Sequence, residues 1–153
     1  MRGPFPSDLD EPPFVAVLHV LPDRVGAPDL VGVNGGVEIL VNSGGGDFSL
    51  GPVYLNAGYW SWGFAAGDFN GDGLLDMAVS GFATWPIVTD GGAVAFLFGT
   101  ADGGYGPIPL VVQTSGNCPA GLAALGPVGA AHAVAIADFC DGGITVSGDA
   151  SRR

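Results

Sequence analysis

Residues 68–76 read Asp-Phe-Asn-Gly-Asp-Gly-Leu-Leu-Asp, a loop rich in oxygen ligands. Side-chain oxygens occur at positions 1, 3, 5 and 9 of this loop. Position 6 is Gly73, where calcium loops turn sharply, and the backbone carbonyl of position 7 can point inward. Calcium binds about six to eight oxygen ligands, so this spacing predicts a calcium site. The candidate ligands are Asp68, Asn70, Asp72, Leu74 through its carbonyl, and Asp76.

An EF-hand is the first alternative for this loop. It requires a bidentate acid at position 12, and a dockerin-type loop also needs an acid there, but that position is Val79. The apolar sequence 77–79 follows the loop directly, which favours a β-hairpin over a helix-loop-helix. The other alternative is an acidic turn without a metal, because Asp, Asn and Gly are common in turns.

The composition excludes several classes of function. The chain has 153 residues, which suits one domain, and its net charge is -11 with only four basic residues. A protein that binds nucleic acid needs a basic face to neutralise phosphates, so we exclude nucleic acid as a partner, and anionic lipid is disfavoured for the same reason. No apolar run approaches the roughly 18 residues of a membrane span. We see no signal peptide in residues 1–13, which read as an extended leader.

The elements that would position the loop are short strands. Glycine supplies 28 positions, which disfavours long helices, and Asn/Asp-Gly clusters between apolar runs are typical of tight hairpins. Strands are predicted at 14–20, 30–33, 37–41, 52–55, 62–66, 75–80, 93–98, 108–112 and 133–137.

An internal repeat divides the chain. Asp29 and Asp76 each begin an apolar strand and lie 47 residues apart (76 − 29), and residues 134–139 match residues 64–69. The predicted division is a leader at 1–13, a first repeat at 14–57, a second at 58–113, an insertion or loop at 114–131, and a partial third repeat at 132–153. Each unit has the size of one propeller blade of four antiparallel strands.

Residues 67–79, followed by 92–99, resemble the FG-GAP or VCBS repeat of integrin α-subunit propellers and of many bacterial surface and secreted proteins. The resemblance implies an all-β fold of propeller-type blades, incomplete, with about two blades plus part of a third. It also implies that the calcium ion is structural and that the chain acts in binding or adhesion outside the cell or at its surface.

The resemblance also bears on partners and activity. A protein or carbohydrate ligand is expected, together with self-association or a larger parent chain, because a short stack of blades leaves apolar faces and strand edges uncovered. We expect no enzymatic activity, since the chain has neither a G-x-S-x-G elbow nor a glycine-rich phosphate loop. The alternative is that these blades belong to a polysaccharide-active enzyme built on a propeller.

The flanking copies of the loop are degenerate. The first keeps only Asp23 and Asp29, and the third keeps Asp138 but has lost one residue of the loop. Neither copy is assigned a metal.

A few remaining residues could do chemistry. Cys118 and Cys140 lie 22 residues apart and could form a disulfide in an oxidising compartment, or remain two small buried thiols. His19 and His132 lie on predicted strands and are interpreted as structural. An aromatic cluster could stack on sugars, but packing between blades is the preferred interpretation. Its members are Tyr59, Trp60, Trp62 and Phe64.

Overall fold

The structure is a computed structural model that describes residues 14–18, 28–33, 36–55, 60–82, 91–106, 110–114, 118–128 and 131–147. The predicted leader, His19, Asp23 and Tyr59 lie outside these ranges. All regular elements in the described residues are strands. They are β1 (Phe14–Leu18), β2 (Asp29–Val33), β3 (Gly36–Asn42), β4 (Phe48–Leu55), β5 (Trp60–Gly67), β6 (Asp76–Phe82), β7 (Gly92–Leu97), β8 (Leu110–Gln113), β9 (Pro119–Val128), β10 (Ala131–Asp138) and β11 (Ile144–Ser147).

The strands form three antiparallel sheets. Sheet 1 has the order β1-β2-β3-β4 and sheet 2 the order β5-β6-β7-β8, so consecutive strands pair in both. A meander of four antiparallel strands is the structure of one propeller blade. Sheet 3 has three strands, with β10 between β9 and β11. The prediction of an all-β fold with two blades and part of a third is therefore confirmed.

Sheet 2 lies between the other two sheets and packs on both. Side chains on successive residues of a strand point to opposite faces, and β6 follows this rule. Met77 and Val79 face sheet 1, whereas Ala78 faces sheet 3. The cluster between sheets 1 and 2 contains Val31, Val33, Val37, Ile39, Phe64, Met77, Val79, Ala95, Leu97 and Tyr105. The cluster between sheets 2 and 3 contains Ala65, Phe69, Ala78, Val94, Phe96, Val134 and Ile136.

The aromatic cluster is described at one position. Phe64 is buried between sheets 1 and 2, as the packing interpretation predicts for it. The side chains of Trp60 and Trp62 lie outside the described part of the structure.

Two strands were not predicted from the sequence. β9 occupies most of the segment predicted as an insertion or loop, and β11 is a short strand at the edge of sheet 3. β9 contains two prolines and two glycines and lacks the alternation of a half-buried strand. It forms because β10 supplies a partner along most of its length.

The turns after β3 and β7 are closed by a corresponding backbone hydrogen bond, which supports the repeat. In sheet 1 the Ser43 N–H donates to the Asp47 carbonyl at 3.0 Å. In sheet 2 the Thr100 N–H donates to the Gly104 carbonyl at 2.9 Å. The same bond, spanning four residues, therefore closes the same corner of both sheets.

Tyr105, just after this turn in sheet 2, contacts Tyr54 of sheet 1. The rings meet edge to face with centroids 5.5 Å apart, and the Tyr105 N–H donates to the Tyr54 hydroxyl at 3.1 Å. The Tyr105 hydroxyl is itself buried and has no hydrogen-bond partner among the described residues. Burial is the main cause that raises the pKa of Tyr105 well above its usual range.

We predict that Tyr105→Phe leaves the protein equally stable or stabilises it by about 1 kcal/mol at neutral pH, because a buried hydroxyl without a partner is removed. When the pKa of a phenol rises on folding, its contribution to the free energy of unfolding is fully present below the unfolded pKa of about 10. That contribution is lost as the pH rises through the folded pKa. The variant should therefore lose less stability than the parent above about pH 10. Denaturant unfolding at neutral and alkaline pH measures this, and equal alkaline losses would contradict it.

Among the described residues there is no helix with the length and apolar character needed to cross a lipid bilayer.

Candidate functional site

The loop 68–76 connects β5 to β6 at one corner of sheet 2. Gly73 has a φ of 85°, in the left-handed region, which suits the sharp turn predicted at position 6 of the loop. A side chain at this φ costs about 1–2 kcal/mol, although a Cβ on Gly73 would meet nothing within 4 Å. The constraint on this residue is therefore the backbone conformation and not the space around it.

Asp68 organises the loop by accepting backbone hydrogen bonds. Its Oδ1 accepts from the N–H groups of Gly71 at 2.6 Å and Asp72 at 3.2 Å. Its Oδ2 accepts from the Gly73 N–H at 2.8 Å. The loop backbone thus curls around the first carboxylate.

Asn70 and Asp72 continue this pattern one step further along the loop. The Asn70 Oδ1 accepts from the Asp72 N–H at 2.9 Å, and the Asp72 Oδ1 accepts from the Leu74 N–H at 2.8 Å. The two side chains also meet, because the Asn70 amide donates to the Asp72 Oδ2 at 2.9 Å. The bond from the Asp72 N–H to Asn70 and the bond from the Leu74 N–H to Asp72 each form an Asx turn, which bends the chain locally.

Asp76 has a different environment, because it is fully buried at the start of β6. Its Oδ2 accepts from the Phe69 N–H at 2.7 Å, and its Oδ1 accepts from the Gly99 N–H at 2.8 Å. Burial raises the pKa of Asp76, and the nearby Asp72 carboxylate adds to the rise, while the Gly99 and Phe69 N–H groups oppose it. The carboxylate joins the beginning of β6 to the loop and to the segment after β7.

The predicted ligands suit calcium in kind, since all are hard carboxylate, amide or carbonyl oxygens. Within the described ranges, no three side chains of the His, Cys, Asp and Glu types are gathered as a metal-binding group. The structure brings Asp68, Asn70 and Asp72 together in one hydrogen-bonded turn and places Asp76 in the buried strand beside it. A carboxylate has about four lone-pair sites, so oxygens that accept N–H groups keep capacity for a cation. These residues therefore have the ligand chemistry that calcium requires, and the calcium site itself stays a prediction.

Asp29 shows what the last aspartate does in a degenerate copy of the loop. It is fully buried at the start of β2, and its Oδ1 accepts from the N–H of Asn42, at the end of β3, at 2.9 Å. Asp76 makes the corresponding contact with Gly99 beyond the end of β7. This carboxylate contact between the second and third strands of a sheet, which we call the strand clamp, therefore occurs in both four-stranded sheets.

The third copy of the loop is a short hairpin with a disulfide. Cys118 and Cys140 are bonded, and their Cα atoms are 5.4 Å apart, so the structure forms the disulfide that was one of two sequence predictions. Asp138 accepts from the Cys118 N–H at 3.0 Å, from the Cys140 N–H at 3.1 Å and from the Asp141 N–H at 2.9 Å. Asp138 therefore organises this hairpin, which the disulfide links to the start of β9.

One residue at the site was interpreted from the sequence only as structural. His132 of sheet 3 contacts the peptide groups of Asp68, the first residue of the loop, across 64 residues of sequence. The one local signal is Gly67, which precedes the loop and leaves room for the imidazole.

A comparison with known families identifies the segment that contains the loop. The FG-GAP-like repeat family matches residues 23–79. The match starts at the degenerate first loop, contains both strand-clamp aspartates and ends in β6, so it includes all of loop 68–76. No curated protein matches the chain. The two four-stranded sheets around this segment agree with the match, and residues 23–79 are similar to the FG-GAP-like repeat.

Proposed function

We propose that this chain is a calcium-stabilised propeller module that contributes blades to a binding or adhesion protein. The observation that carries the proposal is the loop 68–76. Its oxygen ligands follow the alternation of a calcium loop, and its first three ligands already form one hydrogen-bonded turn.

Calcium would be held by the side chains of Asp68, Asn70, Asp72 and Asp76 and by the carbonyl of Leu74. When bound, it supplies positive charge to a loop that has three carboxylates and no basic residue. The role is structural, because like charges that repel one another in the loop would instead share one cation. A cation here would offset burial and the Asp72 carboxylate, which both oppose the ionisation of Asp76.

An extracellular or cell-surface location is part of this proposal. Calcium outside cells is abundant enough to fill weak sites with a dissociation constant of about 10⁻⁴–10⁻³ M. The disulfide between Cys118 and Cys140 supports the same location, because such bonds persist in oxidising compartments. The partner would be a protein or carbohydrate, and the net charge of -11 disfavours polyanions.

Calcium titration tests the metal site. We predict that isothermal calorimetry of the whole chain finds one main site and that Asp72→Ala abolishes it. Asp47→Ala is the matched control, because Asp47 is an exposed aspartate in the turn after β3 and its loss removes the same charge. This control should bind calcium as the parent does.

Two results would contradict the proposal. The parent could bind no calcium at millimolar concentrations, or Asp72→Ala could bind it as tightly as the parent. Equal losses in Asp72→Ala and Asp47→Ala would assign the effect to overall charge and not to the loop.

A further inference from the structure

His132 contacts the backbone of Asp68, the first residue of the loop, through two hydrogen bonds of opposite direction. The backbone N–H of His132 donates to the Asp68 carbonyl at 2.6 Å. The Asp68 N–H donates to the His132 Nδ1 at 2.9 Å. Both polar groups of one loop residue's backbone are thus satisfied by a single residue of sheet 3.

The bond to Nδ1 defines which ring nitrogen of the imidazole carries the proton. An N–H group can donate to Nδ1 only if that nitrogen carries no proton. The neutral ring therefore has its proton on Nε2, and Nδ1 acts as an acceptor. A side chain without an acceptor at this place would leave the Asp68 N–H without its partner.

Gly67 makes this approach of sheet 3 to the loop sterically feasible. A Cβ on Gly67 would lie 2.9 Å from the His132 Nδ1 and 3.4 Å from the Ala124 Cβ, so a larger residue would push the imidazole away. Gly67 does not have a positive φ, so what its glycine provides here is space. The end of β5, which leads into the loop, therefore packs closely against β9 and β10 of sheet 3 at this point.

We propose that His132 is a positioning residue for the calcium loop and that it couples calcium binding to the docking of sheet 3 on sheet 2. The inference rests on the proposed calcium site. The imidazole accepts a hydrogen bond from the Asp68 N–H. The Asp68 carboxylate in turn accepts from the N–H groups of Gly71 and Gly73. A displaced Asp68 peptide would therefore misplace the first ligand and the turn that depends on it.

Coupling of this kind acts in both directions. If docked sheet 3 strengthens calcium binding, then bound calcium strengthens the docking of sheet 3 by the same factor. Calcium at a corner of sheet 2 would thus stabilise the contact between two sheets as well as its own loop.

Two variants of His132 test the proposal by calorimetry with calcium chloride. His132→Leu keeps a similar apolar bulk and removes the acceptor, and we expect calcium affinity to fall about 10- to 100-fold, as for other residues that orient metal ligands. His132→Asn places Oδ1 near the position of Nδ1 and can accept the same N–H, so it should recover most of the affinity. Equal affinities in His132→Leu and the parent, or equal losses in both variants, would overturn the proposal.

A spectroscopic measurement on the parent checks the contact without calcium. Long-range ¹H–¹⁵N spectra in chelator should show an unprotonated Nδ1 and a protonated Nε2 for one of the chain's two histidines, and His132→Leu assigns that signal. A proton on Nδ1 of His132 would overturn the inference. A parent that shows the expected ring state but binds no calcium would instead refute the proposed function and, with it, the coupling.

Discussion

Replacing Asp29 with alanine should lower the free energy of unfolding by about 2 kcal/mol, because a buried N–H left without its acceptor costs about 1–3 kcal/mol. The affected donor is the N–H of Asn42 at the end of β3. The sequence before Asp29 supplies only Asp23 at the aligned ligand positions, so the loss should be equal in calcium and in EDTA. Urea unfolding under both conditions measures it.

Asp76→Ala, unlike Asp29→Ala, should have an effect on stability that depends on calcium. In EDTA the variant loses stability because the N–H groups of Phe69 and Gly99 no longer have their acceptor. Part of this loss is offset, because the carboxylate that is removed is one whose ionised form burial disfavours. In calcium the variant also loses the stabilisation that bound metal gives to the folded state. Its deficit relative to the parent should therefore be larger in calcium.

The control for both variants is Asp47→Ala, an exposed aspartate whose loss should change the stability by less than about 0.5 kcal/mol. A deficit for Asp29→Ala that grows in calcium would place a metal near the first sheet. A deficit for Asp76→Ala that does not change with calcium would remove Asp76 from the ligand set.

Removal of the disulfide should have the second large effect. Cys118 and Cys140 are separated by 22 positions in the sequence, and a crosslink of that span stabilises a fold by about 3 kcal/mol. The parent should therefore melt at a lower temperature in reductant, and a variant with both cysteines changed to alanine should melt at that lower temperature with or without reductant. The hairpin 138–143 should loosen most.

Non-reducing mass spectrometry accompanies the melting experiments, on protein made in an oxidising compartment. The parent should lack free thiols. Two free thiols in that material would end the assignment, and a parent whose melting is unchanged by reductant would show that the bond contributes little to stability.

Much of the second blade could be predicted from local pattern. The strands of sheet 2 and the turn at Gly73 follow from short apolar runs, from glycine at a position that needs a positive φ, and from ligands spaced along one loop. These features involve residues close in sequence, so each has its own signal. The predicted ligands Asp68, Asn70 and Asp72 meet for the same reason.

The features that could not be predicted depend on contacts between sheets. β9 has poor strand propensity and forms because β10 pairs with it. His132 looked like an ordinary strand residue, because its contact with Asp68 spans 64 residues and leaves no periodic trace in the sequence. Asp76 was predicted as a ligand, and its strand clamp became visible only when β7 placed the Gly99 N–H beside it.

Sheet 2 lies between two apolar clusters, so the order in which the three sheets can separate during unfolding is restricted. Each cluster joins one pair of neighbouring sheets, so the fold resembles a one-dimensional array with nearest-neighbour couplings. An end sheet can separate by breaking one coupling, whereas the middle sheet cannot leave without breaking both. Truncation of Val31 or Ile39 would thus weaken the packing of sheet 1 alone. Sheets 2 and 3 would remain packed together and would unfold last, as one cooperative unit.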